Sequence, residues 1–256
     1  MAKVYNLIDV SYWQGDIDWN KAKKEIDGAM IRAGFGTNTL DKKFERNIKA
    51  CNDLGIPCGV YWFSYACSAA DAKAEAKRCL DAVKPYKLEL PICCDFEYDS
   101  IEYQKKQGIT PSKKLSTAIV KAFCAEIEKA GYYAMIYTNA DFSGKYFDNI
   151  SAYDLWYAAW TAAPNSSKPP KTCGIWQYTS GGSVSGISGD VDKDFAYKDY
   201  PSIIRKAGLN KLVTESKAET VKKWAISKGI TDGSKTGDAP TRAEVWEMLY
   251  KLNGGK

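Results

Sequence analysis

The sequence contains no histidine. Its 256 residues include 36 Lys and Arg and 31 Asp and Glu, but His is absent. This absence excludes Ser-His-Asp and Cys-His nucleophile systems, zinc sites built on histidine and any histidine acid or base. We therefore expect the chemistry of this chain to come from carboxylates, tyrosine, lysine, cysteine or the backbone, with no cofactor and no metal.

Paired-cysteine motifs and long apolar runs are also missing. No C-x-x-C occurs, and we interpret the eight cysteines as reduced residues of the core, with a disulfide-bridged set as the alternative. No stretch approaches the roughly 18 apolar residues of a membrane span, and Met1–Val10 is unlike a signal peptide. We expect a protein that is made in the cytoplasm, has no membrane partner and reaches any extracellular target by another route.

The excess positive charge lies in the last fifth of the chain. The net charge is +5, and residues 205–256 alone hold 11 basic and 6 acidic residues. We expect no nucleic-acid partner, because the preceding part is charge-balanced and shows no basic stripe. The basic end is typical either of a segment drawn to a polyanion or of a well-solvated small module.

Apolar runs alternate with helical patterns, which predicts parallel strands joined by helices. The eight strand-like runs are Tyr5–Val10, Ala29–Ala33, Cys58–Tyr65, Leu90–Glu97, Tyr133–Thr138, Leu155–Trp160, Gly174–Tyr178 and Gly189–Asp192. The predicted helices are Asp18–Ile26, Asp41–Leu54, Ser68–Val83 and a fourth, capped by Thr110, that ends near Gly131. We predict an α/β fold: an irregular TIM-like barrel with few helices in its late half, whose catalytic groups lie at the carboxyl ends of strands.

The pattern changes after Tyr200-Pro201. Two helices, Val213–Ser227 and Thr241–Leu252, flank a turn rich in Gly and Asp. We therefore predict a barrel over residues 1–204, a linker over 205–212 and a small two-helix C-terminal module over 213–256.

The best chemical signal is a pair of acids, Asp95 and Glu97, after an apolar run. Strand geometry places both on one face, with alpha carbons about 6.6 Å apart, and Phe96 on the other. Burial and like charge raise the pKa of at least one carboxyl, which yields the proton donor that a glycosidase needs. The alternative is two acids on a solvated strand end.

Further acids stand at the ends of the first and last runs. Asp9 closes the first run, and Asp190, Asp192 and Asp194 cluster at the last. If the sheet closes, Asp9 and Asp192 meet at the rim near the acid pair. Each alone is also typical of a helix cap or a turn.

Aromatic residues follow the same strand ends. They are Trp13, Tyr61, Trp62, Phe63, Tyr65, Tyr98, Tyr137, Trp160 and Trp176. Tyrosine and tryptophan offer sugars a flat apolar surface with a polar group, although packing in the core is the better explanation for any single one.

These residues together resemble glycoside hydrolase family 25, the lysozymes of N-acetylmuramidase type. The matching segments are 9–15, 59–65, 95–97, 136–139, 155–160, 176–178 and 189–192, in order over about residues 4–200. The resemblance implies an irregular β/α barrel and cleavage of the β-1,4 bond between MurNAc and GlcNAc in peptidoglycan. Whether the configuration is retained by substrate assistance or inverted by water stays open.

Site roles carry over from the family by position. Glu97 is the general acid, and Asp95 orients or stabilises the 2-acetamido group or the positive intermediate. The residues expected to bind substrate are Asp9, Asp192, Tyr61, Tyr137, Trp160 and Gln177. Two positions depart from the family pattern: Asp194 replaces a frequent Asn, and Trp62 replaces a frequent His.

The tail over about Ala218–Leu252 resembles one S-layer-homology repeat. Such repeats stack on copies of themselves, so we expect homo-oligomers or binding to anionic wall polymers through this module, or else a helical pair packed on its own barrel. Without a signal peptide, the expected setting is a phage or prophage endolysin that acts on the cell wall after release, with a bacterial autolysin second. The rival functions are a catalytically inactive glycan-binding protein and a glucosaminidase or chitinase.

Overall fold

The computed structural model describes residues 3–160, 173–211 and 226. By proximity of its alpha carbons, the chain divides into two units, Met1–Leu212 and Val213–Lys256. The first unit is described below. Apart from residue 226, the two predicted C-terminal helices lie outside the described residues, and the division into three segments stays a prediction.

Eight strands close into a barrel, which confirms the predicted fold class of the first unit. The strands are β1 (Tyr5–Val10), β2 (Gly28–Phe35), β3 (Thr39–Leu40), β4 (Cys58–Phe63), β5 (Ile92–Asp95), β6 (Ala134–Asn139), β7 (Asp154–Ala158), β8 (Cys173–Gly182) and β9 (Val191–Ala196). The eight barrel strands have the order β1-β9-β8-β7-β6-β5-β4-β2, and the pairing of β1 with β2 closes the ring. The short strand β3 is not part of the ring and pairs antiparallel with the end of β2.

The last strand runs against its neighbours, where the sequence pattern predicted parallel strands. Strand β9 is antiparallel to both β1 and β8. The connection of residues 183–190 contains no helix, so the chain returns directly instead of crossing over the barrel. Strand β9 therefore starts at the rim where the other barrel strands end.

The helices are α1 (Trp19–Ala22), α2 (Phe44–Leu54), α3 (Ala69–Val83), α4 (Tyr98–Lys106), α5 (Lys113–Lys129), α6 (Ala140–Tyr146) and α7 (Tyr200–Lys206), with a 3₁₀ turn at Tyr12–Gln14. Asp18 and Ser68 cap α1 and α3 as predicted, although α1 ends at Ala22. The cap of α5 is Ser112 instead of Thr110, because the extended Ser112 accepts a hydrogen bond from Leu115 N. Helices α4, α6 and α7 were not predicted.

Alternation along the strands produces two apolar cores. Ile8 and Val10 of β1 face the helices, whereas Leu7 faces the barrel interior. In β5, Cys94 and Cys93 divide in the same way. All eight cysteines are unpaired thiols and seven are buried, which confirms the prediction of reduced core cysteines.

Helix α7 and the residues after it close the amino-terminal end of the barrel. Tyr200 and Ile204 are buried in the interior core. Asn210 donates hydrogen bonds to the carbonyls of Leu88 and Leu90 at 3.3 and 3.0 Å. Residues 205–211, predicted as part of a linker, are therefore attached to the barrel. Within the described ranges, no helix is both long and apolar enough to span a bilayer.

Candidate active site

A cavity of about 340 Å³ opens at the carboxyl-terminal rim of the barrel strands. The eight predicted site residues all line it: Asp9, Tyr61, Asp95, Glu97, Tyr137, Trp160, Gln177 and Asp192. Closure of the sheet brings together residues that are more than 180 positions apart in the chain. The functional roles assigned to these residues stay predictions.

The acid pair lies where β5 passes into α4. Strand β5 ends at Asp95, two residues earlier than predicted, but Glu97 keeps an extended backbone with φ −143° and ψ −157°. The side chain of Phe96 is buried on the opposite side, in contact with Phe142 and Phe147. Asp95 and Glu97 therefore share the cavity, as the alternation predicted.

Burial raises the pKa of both acids. Asp95 is buried, and its pKa is raised well above the ordinary value by burial and by the Glu97 carboxylate. Glu97 is half-buried, and burial together with the Asp99 carboxylate raises its pKa to about 7. One carboxyl at the cavity is therefore poised to give up a proton near neutral pH.

Asp9 and Asp192 are direct partners in the register of β1 and β9. Burial, Asp194 and Asp192 raise the pKa of Asp9 well above its ordinary value, while the Gln177 amide lowers it. Burial and Asp190 raise the pKa of Asp192 to about 6. The antiparallel direction of β9 places Asp192 beside Asp9.

Gln177 connects the acids to the aromatic wall. Its Nε2 donates to Asp9 Oδ2 at 2.8 Å. Its Oε1 accepts from the Tyr137 hydroxyl at 3.0 Å and from Trp160 Nε1 at 2.9 Å. These bonds orient the Gln177 amide and one Asp9 oxygen toward each other.

Two indole rings at the rim are largely exposed. Trp13 is 72% exposed and Trp160 is 61% exposed, and both line the cavity. Large exposed aromatic rings beside a polar cavity mark a binding surface, since core packing does not explain them. Trp62 and Trp176 are instead buried and donate to the Gly36 and Ala159 carbonyls, so these two predicted aromatics belong to the core.

Sequence reasoning missed Arg32. It is the one cation among the described residues that line the cavity, and its Nε donates to Asp41 Oδ2 at 2.8 Å. The guanidinium lowers the pKa of Asp95 against the other influences. The sequence did offer a signal for Arg32. It is a charged residue in an apolar strand, and because strand side chains alternate between faces, Arg32 and Met30 both point into the barrel interior.

Sequence reasoning also missed the pairing of Trp156 with Asp194. Trp156 lies edge-on to Tyr61 and Tyr137, and its Nε1 donates to Asp194 Oδ1 at 2.7 Å. Asp194 is buried, and its Oδ2 has no hydrogen-bond partner among the described residues. Burial raises the pKa of this carboxyl well above its ordinary value.

Comparison with protein families gives a match to Glycosyl hydrolases family 25 over residues 8–187, which is more than half of the chain. The chain belongs to glycosyl hydrolase family 25. The match ends before β9, so Asp192 and Asp194 lie outside the matched range.

Named lysozymes and an autolysin share this family 25 region. Lysozyme M1 of Streptomyces globisporus is 30% identical over 206 residues, covering 73% of this chain and 66% of its own length. The modular autolysin LytC of Streptococcus pneumoniae, solved with a synthetic peptidoglycan ligand, has 32% identity and a TM-score of 0.65 over 75% of this chain and 46% of LytC. A lysozyme from Streptomyces coelicolor has 27% identity and a TM-score of 0.62 over 82% of this chain and 98% of its own. The family 25 chain thus spans 66% of the length of the first curated relatives.

The family 25 site combines a proton donor with a cavity that carries several acids. Within the described residues, no group of three or more Cys, Asp or Glu side chains is arranged to hold a metal ion. The arrangement supports acid catalysis at a glycosidic oxygen, with stabilisation of positive charge by the neighbouring carboxylates.

Proposed function

We propose that this chain is a lysozyme that hydrolyses the glycan strands of peptidoglycan. The observation that carries the proposal is Glu97, a half-buried carboxyl with a pKa raised to about 7, beside Asp95 in a cavity flanked by two exposed indoles. A glycosidase needs one carboxyl that is protonated near neutral pH and a second that answers the positive charge at the anomeric carbon.

In this proposal Glu97 donates its proton to the leaving glycosidic oxygen. Asp95 orients the 2-acetamido group or stabilises the oxocarbenium-like charge, and the route with retention and the route with inversion both stay open. Trp13 and Trp160 hold the apolar faces of sugar rings, while Asp9 and Asp192 accept hydrogen bonds from hydroxyl groups. The substrate class is supported by the relatives: two are lysozymes, and a third was solved with a peptidoglycan ligand.

The proposed scissile bond is the β-1,4 link from MurNAc to GlcNAc. Purified peptidoglycan is digested with the full chain, the products are reduced, and mass spectrometry identifies the sugar at the new reducing end. Reduced MurNAc supports the proposal. Reduced GlcNAc identifies a glucosaminidase instead, and no new reducing end supports the rival binding protein.

The rate at which the protein clears a suspension of cell walls tests the role of Glu97. We expect Glu97→Gln to lower the rate of wall clearing by about 100-fold or more, because general-acid catalysis is lost. Binding of the variant to insoluble walls should be unchanged. Glu102→Gln is the matched control, since Glu102 is an exposed residue of α4 that pairs with Lys105. Equal clearing by Glu97→Gln and wild type contradicts the assignment.

The setting of the enzyme is also proposed. Because peptidoglycan lies outside the cell membrane, the chain must reach the wall after its synthesis in the cytoplasm. The excess of basic residues in 205–256 supports contact with anionic wall polymers. The endolysin role, the S-layer-homology repeat and self-association stay predictions. Pull-down of the full chain with insoluble walls tests wall binding, and sedimentation tests self-association.

A further inference from the structure

A group of buried polar side chains lies behind Glu97, outside the cavity. Ser64, Glu75, Ser100 and Gln104 are fully buried, and none of them lines the cavity. They belong to the segment after β4 and to helices α3 and α4. Burial of polar groups is unfavourable unless they are hydrogen-bonded, so their partners show what this group stabilises.

Glu75 of α3 orders the segment that follows β4. Its Oε2 accepts from the Ser64 hydroxyl at 2.5 Å, and its Oε1 accepts from Tyr65 N at 2.9 Å. Ser64 Oγ in turn accepts from Ala66 N at 3.2 Å. The same segment is tied to the end of β5, because Ser64 N donates to the Asp95 carbonyl at 2.7 Å.

Helix α4 is attached to this ordered segment at its first turn. The Ser100 hydroxyl donates to the Ser64 carbonyl at 2.6 Å and accepts from Glu97 N at 3.1 Å. One turn later, Gln104 Nε2 donates to the Ala66 carbonyl at 2.8 Å. Glu75 therefore binds the Ser64 hydroxyl, and the Ser64 carbonyl binds Ser100, which accepts from Glu97 N, so the residue Ser64 links the buried Glu75 side chain to the backbone of Glu97.

We propose that Ser100, held through Ser64 by Glu75, is a positioning residue that places the Glu97 carboxyl over the cavity. The inference rests on the proposed function. Glu97 follows the last residue of β5 by two positions, so the strand ladder does not hold it. The carboxyl faces the Asp99 and Asp192 carboxylates, whose repulsion favours its movement into water once the anchor is lost, while a hydrogen bond with Asp95 opposes this movement.

The test compares Ser100→Ala with Ser100→Thr and with Ser116→Ala in the full chain. Ser100→Thr keeps a hydroxyl at the same position. Ser116 is a fully buried serine of α5 whose Oγ has no partner among the described residues, so Ser116→Ala controls for removal of a buried hydroxyl without loss of a hydrogen bond. Each variant is measured for kcat, KM, the pH dependence of kcat/KM and the midpoint of thermal unfolding.

We expect Ser100→Ala to lower kcat by roughly 10- to 100-fold with KM within about twofold, because a small misplacement of a reacting group has effects of this size. The basic limb of its pH profile should shift to lower pH, since a Glu97 carboxyl in water regains its ordinary pKa. Ser100→Thr should restore most of kcat and the wild-type limb, and Ser116→Ala should leave both unchanged. The proposal is overturned if Ser100→Ala has the same kcat as Ser116→Ala and the same basic limb of the pH profile.

A second variant and a direct titration keep the inference separate from the proposed function. Ser64→Ala removes the contact with Glu75 but keeps the carbonyl that Ser100 binds, so it should change kcat in the same direction and by less. NMR titration of the Glu97 carboxyl reports its environment even without turnover. If the wild type cleaves no peptidoglycan, the proposed function fails. If the Glu97 pKa in Ser100→Ala equals that in the wild type, the positioning role alone is refuted.

Discussion

At the scale of single residues, the site is a set of five acids that hold their protons to a higher pH than they would in water. Burial is the first cause of the raised pKa of all five carboxyls in the set: Asp9, Asp95, Glu97, Asp192 and Asp194. Arg32 supplies the one positive charge among the lining residues that the structure describes. Because the five groups influence one another, they titrate as a group and not as independent acids.

The pH dependence of activity follows from Glu97. A general acid works only while it is protonated, and burial raises the pKa of Glu97 to about 7. We expect the rate of wall clearing to fall as pH rises through about 7. Initial rates between pH 5 and 9 check this, with Glu102→Gln as the control that keeps the wild-type profile. A rate that keeps rising from pH 7 to 9 would rule out Glu97 as the acid.

Asp194 accepts a hydrogen bond from Trp156, which lines the cavity, and burial raises the pKa of its carboxyl well above the ordinary value. Asp194→Asn keeps the oxygen that accepts from Trp156 Nε1, so we expect its free energy of unfolding at pH 8 to equal or exceed that of the wild type. Asp194→Leu loses that acceptor and should be less stable by about 1–3 kcal/mol. Urea unfolding measures both. A strongly destabilised Asp194→Asn would show that the carboxylate, not the acid, is the native form.

At the scale of elements, the packing of α7 against β8 depends on a glycine. A Cβ on Gly174 would collide with the Tyr200 hydroxyl, which donates to Asp154 Oδ2 at 3.1 Å. We expect Gly174→Ala to lower the free energy of unfolding by about 2–4 kcal/mol, because the ring and its hydrogen bond must move.

Gly181 of the same strand is the matched control for this substitution. A Cβ there meets nothing within 4 Å, so Gly181→Ala should be close to neutral. Thermal and urea unfolding of the two variants give the comparison. Equal stabilities would show that α7 accommodates the added methyl without strain.

At the scale of the whole barrel, closure gathers acids from β1, β5 and β9 and makes stability depend on pH. The pKa of Glu97 rises from 4.5 to about 7 and that of Asp192 from 3.8 to about 6 on folding. Between pH 4 and pH 7 the folded state therefore binds more protons than the unfolded state, so stability decreases as pH rises through this range.

We expect the midpoint of thermal unfolding to be lower at pH 8 than at pH 5 by roughly 2–8 °C. Calorimetry of the full chain at both pH values checks this. In Glu97→Gln one contributing acid is removed, so the difference between the two pH values should shrink. A midpoint that increases from pH 5 to pH 8 would contradict the assignment of raised pKa values.

Much of the site was predictable because it depends on short periodic patterns. Alternation placed Asp95 and Glu97 on one face, and the strand-end position of Asp9 pointed to the rim. The proximity of Asp9 and Asp192 was expected from closure of the sheet, but the antiparallel direction of β9 was not expected. The pairing Glu75–Ser64–Ser100 was out of reach, because its members join through contacts across three elements that no local pattern encodes.

The sequence by itself determined the chemistry that is available and the class of fold. The absence of histidine left carboxylates as the acids, and apolar runs alternating with helical patterns indicated an α/β barrel. Only the tertiary structure decided the antiparallel direction of β9, the pairing of Asp194 with Trp156, which tryptophans remain exposed and what supports Glu97. The physical reason is that pKa shifts, exposure and buried hydrogen bonds arise from the desolvation and proximity that closure of the barrel imposes, and sequence neighbours do not reveal these.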